Sequence, residues 1–220
     1  MSTDVAARRF DALPALGRPA LVVVDVQRSF ADPAHIGAYG IDGAAEQAVA
    51  DAVGACARLV DDARERGVDV VWVELVSDPA RPWRASSWLQ TGDPDAWPDG
   101  LPCVTGTPGA EWYGLEPASG ELRVVKRGYS GFVGTDLDDA LRARGIGWVA
   151  VVGLTTECCV FATATDAVQR EYAVVIPADA TAAYTDDLQR ASLDMLALNV
   201  GAVTDADALV ALWSRAEVTA

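Results

Sequence analysis

The stretch WVAVVGLTTECCVFATATDA, residues 148–167, constrains the fold more tightly than any other part of the chain. Residues 148–152 form a short apolar run rich in β-branched side chains, closed by Gly153 and followed by Thr155, Thr156 and Glu157. Such a run reads as a buried strand, and the polar residues after it as a helix start. The strand gives way to the helix within about four residues, the junction of an α/β unit. Cys158 and Cys159 fall in the first turn of that helix, where unpaired backbone N–H groups and the positive end of the helix dipole favour a thiolate. That is a place for a nucleophile, although small apolar cysteines also pack under sheets.

The pattern recurs along the chain. Residues 1–18 carry no periodic signal and read as an N-terminal arm; from Pro19 to residue 220 the chain reads as one domain. ALVVVDV, residues 20–26, suits a central parallel strand whose end presents Asp25, and period-two alternation puts Asp25 and Gln27 on one side. Residues 43–66 form a helix, with Ala45, Val49, Val53, Cys56, Leu59, Val60 and Ala63 at three- and four-residue spacing, so Cys56 belongs to the core. A strand over 68–76 completes a βαβ start. A strand over 122–125 ends at Lys126; Thr135, with Asp138 as reciprocal cap, opens a helix that runs to Gly145. A helix from Cys159 to Glu171, strands over 173–176 and 201–203, and helices over 188–198 and 206–213 follow. Strands alternate with helices throughout, which predicts a single doubly wound, Rossmann-like parallel β-sheet with helices on both faces.

Between 77 and 121 the periodicity stops. That segment holds seven prolines, six glycines and four of the seven tryptophans (Trp83, Trp88, Trp97, Trp112), so it reads as a functional loop able to line a pocket. No G-x-G-x-x-G follows the first strand and no P-loop is present, so the nucleotide-binding motifs are missing.

Composition narrows the partners. A net charge of −15 and a pI near 4.3 disfavour nucleic acid and anionic lipid. No apolar run approaches the roughly 18 residues of a membrane span, and MSTDVAARRF lacks the apolar core of a signal peptide; a cytoplasmic protein is expected. Four cysteines without C-x-x-C spacing are expected to be reduced thiols. Of 17 basic residues, Lys126 alone is lysine, which singles out the one cation whose charge burial can tune.

Three strand ends thus carry an acid (Asp25), a lysine (Lys126) and a thiol (Cys158 or Cys159). In a doubly wound sheet they converge on one edge, bringing a base, a cation and a nucleophile within reach of one another. The one histidine, His35, lies after the first strand and reads as a surface or substrate-contact residue.

VVVDVQRSF, VVKRGYSGFVGTDL and GLTTECCVFATATDA together resemble the isochorismatase-like cysteine hydrolases, over most of the chain from about Pro19 to Trp213. The resemblance implies that Cys159, which directly precedes a valine, is the nucleophile, with Asp25 as base and Lys126 as the stabilising cation. It implies a cis peptide between Leu154 and Thr155 and an oxyanion hole from the N–H groups of Thr155 and Cys159. Nicotinamidase members carry a histidine-containing metal site after the second strand; VELVSDPARPWRASSW has no histidine there, so no metal and no cofactor are expected. Isochorismate hydrolysis needs no nucleophilic thiol, so the cysteine favours C–N cleavage of a small amide or ureide over vinyl-ether hydrolysis. Gln27, Phe30, Trp83 and Tyr129, near the strand ends, are the candidate substrate contacts, and a homo-oligomer is expected because family members commonly assemble. The alternatives from other classes are a thiol sensor in which Cys158 and Cys159 form a vicinal disulfide, and a non-catalytic binding module on the same fold.

Overall fold

Valine-rich runs that would be insoluble alone become the interior strands of a sheet covered on both sides. The computed structural model describes residues 10–37, 41, 43–81, 83 and 101–217. Its strands are β1 (Arg18–Val24), β2 (Asp69–Leu75), β3 (Leu122–Lys126), β4 (Ile146–Leu154), β5 (Ala173–Pro177), β6 (Thr181–Ala182) and β7 (Ala202–Thr204). The longer helices are α1 (Gly43–Glu65), α2 (Leu137–Ala143), α3 (Phe161–Gln169), α4 (Asp186–Asn199) and α5 (Ala206–Glu217). The seven strands pair in the order β3-β2-β1-β4-β5-β7, with β6 against the end of β4, and every pairing is parallel.

Alternation along the strands sorts the core into two layers. Ala20, Val22 and Val24 of β1, with Val71, Val73, Val149 and Val151, pack with residues of α2, α3 and α4. Leu21, Val23, Trp72, Trp148, Ala150 and Val152 pack with those of α1 and α5. Trp72, Trp148 and Trp213 are fully buried, and removing each such side chain from water contributes about 1.5–3 kcal/mol. Cys56 sits in the core as expected, its Sγ 3.1 Å from the Ala180 carbonyl oxygen. No described helix is long and apolar enough to cross a membrane.

From β1 the chain steps outward through β2 to β3, then returns to place β4 on the other side of β1. The carboxyl ends of β1 and β4 therefore form the topological switch point, where open α/β sheets bind ligands. Gly153 makes that junction tight: it lies opposite Val24, with φ +112°, and a Cβ there would stand 2.0 Å from the Val24 carbonyl oxygen. A side chain at 153 would drive apart the two strand ends that carry the site.

Several local expectations change. Asp25 lies just beyond β1 with φ +50°, a left-handed conformation that aspartate tolerates better than most residues. This interrupts the extended backbone on which period-two alternation depends. The Gln27 carboxamide instead donates to the carbonyls of Leu75 (3.0 Å) and Ala110 (2.9 Å) and accepts from the Leu75 N–H (2.9 Å). Gln27 therefore locks the end of β2 to the 101–121 segment, and Gln27→Ala is expected to lower stability by about 2–4 kcal/mol in urea unfolding, because buried backbone groups lose their partners. The helix expected from Thr135 starts at Leu137. The Thr135 hydroxyl accepts from Leu137 N–H (3.4 Å) and donates to the Gly131 carbonyl, while the Asp138 carboxylate accepts from Tyr172 Oη (2.8 Å) rather than closing a reciprocal cap. α4 begins two residues earlier than expected, because Thr185 caps it by accepting from Leu188 N–H (3.2 Å). Ahead of β1, residues 13–16 form a 3-10 turn that buries Leu13 against the core.

Candidate active site

Asp25, Lys126 and Cys159, which come from three separate strand ends, meet in one cluster. The Asp25 N–H is held by the Val73 carbonyl (2.9 Å), which fixes the residue between β1 and β2. Lys126 closes β3 with its Nζ 2.6 Å from Asp25 Oδ2, and both side chains are 0% exposed. The same ammonium donates to the Gly128 carbonyl (2.9 Å) and stands 3.4 Å from Cys159 Sγ. The turn after Lys126 is pinned by Gly131 N–H donating to Thr163 Oγ1 on α3 (3.0 Å), and a Cβ at Gly131 would come within 3.0 Å of Val73. The ammonium is thus aimed by backbone and core packing.

The thiols do not enter a plain α-helix. Leu154–Thr155 is cis, as the resemblance implied, and Thr156–Val160 forms a π-helical turn ahead of α3, a local widening found often at functional sites. The Thr155 carbonyl accepts from the N–H groups of Cys158 (3.1 Å) and Val160 (3.2 Å). The two Sγ atoms are 4.0 Å apart, and both thiols are free. Cys159 is buried over the strand ends while Cys158 is partly buried.

The surroundings act in opposite directions on the two thiols at this helix start. The neighbouring Cys158 thiol, burial and the Asp25 carboxylate together push the Cys159 pKa well up, while the same contact from Cys159 pulls that of Cys158 down. Burial raises the Asp25 pKa against the opposing pull of Lys126 and of a hydrogen bond with Cys159. Burial disfavours the Lys126 ammonium, but Asp25 and Cys159 outweigh it and push its pKa up to about 12. One fixed cation therefore faces two groups that each bind a proton more tightly than usual, a setting in which a proton can pass from sulfur to carboxylate as a bond to sulfur forms.

Cys158, Cys159 and Thr155 form the inner wall of a cavity of about 230 Å³. Leu75, Val76, Leu101, Pro102 and Leu154 make it largely apolar. It is smaller than pockets that hold drug-sized ligands, which run to roughly 300–1,000 Å³. Phe30, Trp83 and Tyr129 line it as expected; Trp83 packs edge-on against Tyr129 (4.9 Å, 79°) and lies on Gly128, where a Cβ would meet its ring at 3.3 Å. Gln27 is absent from the lining, since its amide is fully engaged with backbone. Trp112 packs on Trp72 (4.8 Å, 79°) in the core, and Trp88 and Trp97 lie outside the described residues. His35 lies on the one-turn helix Pro33–Ile36, 3.8 Å from Asp32, and does not line the cavity. The sequence reading missed Asp78, Arg81 and Arg127 in the lining; the signal for Arg127 was its place next to Lys126 at a strand end.

Among the described residues no three His, Cys, Asp or Glu side chains come together as a metal donor set. The seven-stranded parallel sheet, with its site at the switch point, defines an isochorismatase-like α/β fold. The chain belongs to that family: the Isochorismatase domain matches residues 19–208. A ureidoacrylate amidohydrolase from Methylobacterium radiotolerans is 34% identical over 202 residues, covering 84% of this chain and 75% of the relative. A nicotinamidase/pyrazinamidase from Mycobacterium tuberculosis is 33% identical, covering 80% and 92%. A solved cysteine hydrolase from Pseudomonas syringae pv. phaseolicola superimposes with a TM-score of 0.77 at 31% identity, covering 90% of this chain and 93% of that one.

Proposed function

We propose that the protein is a cysteine amidohydrolase that cleaves a C–N bond of a small amide or ureide through a thioester on Cys159. One observation carries the reading: the buried Lys126 ammonium touches both Asp25 (2.6 Å) and Cys159 (3.4 Å), and Cys159 opens onto a small cavity. Similarity to a ureidoacrylate amidohydrolase supports the substrate class.

As the substrate carbonyl approaches, the Cys159 thiol proton passes to Asp25 and Sγ bonds to the carbonyl carbon. Lys126 keeps the developing negative charge at this end of the site compensated, and the N–H groups of Thr155 and Cys159 hold the oxyanion. The Asp25 proton moves to the departing nitrogen as the C–N bond breaks, releasing ammonia or an amine. Water then gives a proton to Asp25 and attacks the thioester; the C–S bond breaks, and the thiol regains its proton from Asp25.

The test is ammonia release by metal-stripped protein from a panel of small amides and ureides, with Asp25→Ala run beside the wild type. Turnover by the wild type that is lost in the variant is the expected result; turnover surviving in Asp25→Ala overturns the reading. The pH profile follows from the electrostatics. Asp25 must be ionised to accept the proton, so kcat/KM rises as pH climbs through its pKa, placing the acidic limb above the ordinary carboxylate range near pH 4. Lys126, held up at about 12, stays charged across the whole profile.

A further inference from the structure

Among the described residues, the charged members of the largely apolar cavity lining are Asp78, Arg81 and Arg127, and the exposure of both arginines puts them at its rim. Arg127 directly follows Lys126, and its guanidinium donates to the Arg81 carbonyl, tying the turn after β2 to the end of β3. Arg81 and Arg127 thus both border the cavity. Asp78 does little to neutralise them. One of its carboxylate oxygens accepts from Ala80 N–H (2.9 Å), and the other stands 3.7 Å from Arg81 Nε in an exposed pair, a kind that contributes little. Arg127 has no carboxylate within 4 Å among the described residues. In a chain with 32 acidic against 17 basic residues this is notable, because arginines elsewhere on the surface, such as Arg18, Arg64 and Arg123, each pair with one.

A pair of cations placed on an apolar cavity does not stabilise the fold, and the average field of a −15 chain repels anions. The same pair supplies the planar, multidentate donors that bind a carboxylate well. We propose that Arg81 and Arg127 receive a carboxylate carried by the substrate, so that the site selects small anionic ureides and amides, such as N-carbamoyl amino acids, over neutral ones. This rests on the cysteine amidohydrolase reading. Arg127 makes the principal contact, while Arg81 adds charge and holds the rim. The carbonyl of such a molecule reaches Cys159 while its carboxylate stays at the rim, where water and the guanidinium groups share its solvation.

Two measurements test this. The first compares alkylation of the peptide bearing Cys158 and Cys159 by iodoacetate and by iodoacetamide, reagents alike in shape but differing in charge; iodide leaves as the S–C bond forms. The ratio of iodoacetate to iodoacetamide rates is expected to fall at least about fivefold in Arg127→Ala and further in the Arg81→Ala/Arg127→Ala double variant, with Arg127→Lys in between. An unchanged ratio overturns the inference whether or not a substrate has been found. The second compares kcat/KM for N-carbamoylglycine and its neutral amide. A preference of about tenfold or more for the acid, largely lost in Arg127→Ala through KM, is expected. Equal turnover of both by the wild type leaves the amidohydrolase reading standing and overturns the anion site. Failure to turn over any amide or ureide, together with no acyl adduct on Cys159, overturns both.

Discussion

Cys159→Ala is expected to lower ammonia release by about 10⁴-fold or more, since removing a covalent nucleophile leaves only binding and oxyanion stabilisation. Cys158→Ala, by contrast, is expected to lose less than about tenfold, the equivalent of one ordinary pocket contact. The contrast matters because the electrostatics favour ionisation of Cys158, not Cys159. A site organised around the more acidic thiol would show the opposite pattern. Position favours Cys159 in the proposed mechanism: its Sγ stands 3.4 Å from the Lys126 ammonium, which in turn is 2.6 Å from Asp25.

Asp25→Asn is expected to have two large effects that separate in a double variant. Removing one member of a fully buried ion pair leaves Lys126 charged and uncompensated, which destabilises by about 3–5 kcal/mol. Loss of the proton relay lowers kcat/KM by about 10²–10⁴-fold. Adding Lys126→Met removes the orphaned charge, so Asp25→Asn/Lys126→Met is expected to recover stability relative to Asp25→Asn while activity stays lost. Urea unfolding and ammonia release, measured on the same preparations, read the two quantities apart. A double variant no more stable than Asp25→Asn would mean that the pair is not coupled as the 2.6 Å contact requires.

The sheet was legible in the sequence because its signal is local and redundant. Each of the runs ALVVVDV, VDVVWVELV and WVAVV is too apolar for anything but a strand covered on both faces, and the helices between them impose parallel pairing. The acid, lysine and thiol were legible for the same reason, since each stands at the end of such a run. Gln27 was misplaced as a substrate contact because the backbone groups of Leu75 and Ala110 that occupy its carboxamide come from distant parts of the chain. The difference between the two thiols was not legible because a helix dipole is readable from local sequence, whereas the contact between the two Sγ atoms, the burial of Cys159 and the nearby Asp25 carboxylate are set by the fold. Trp83 and Trp112 looked alike in the aromatic loop; only tertiary packing sends one to the cavity and the other to Trp72. Arg127 was passed over although it follows Lys126 at a strand end, because that place alone does not separate an arginine lining the cavity from a solvated one.

The most direct test of a Cys159 thioester is mass spectrometry of protein quenched in acid during turnover of an amide or ureide, with the adduct located by peptide mapping. The account predicts a transient mass increase equal to the acyl or carbamoyl group on Cys159, absent in Cys159→Ala and present in Cys158→Ala. Steady turnover with the adduct on Cys158, or turnover that persists in Cys159→Ala, would contradict it.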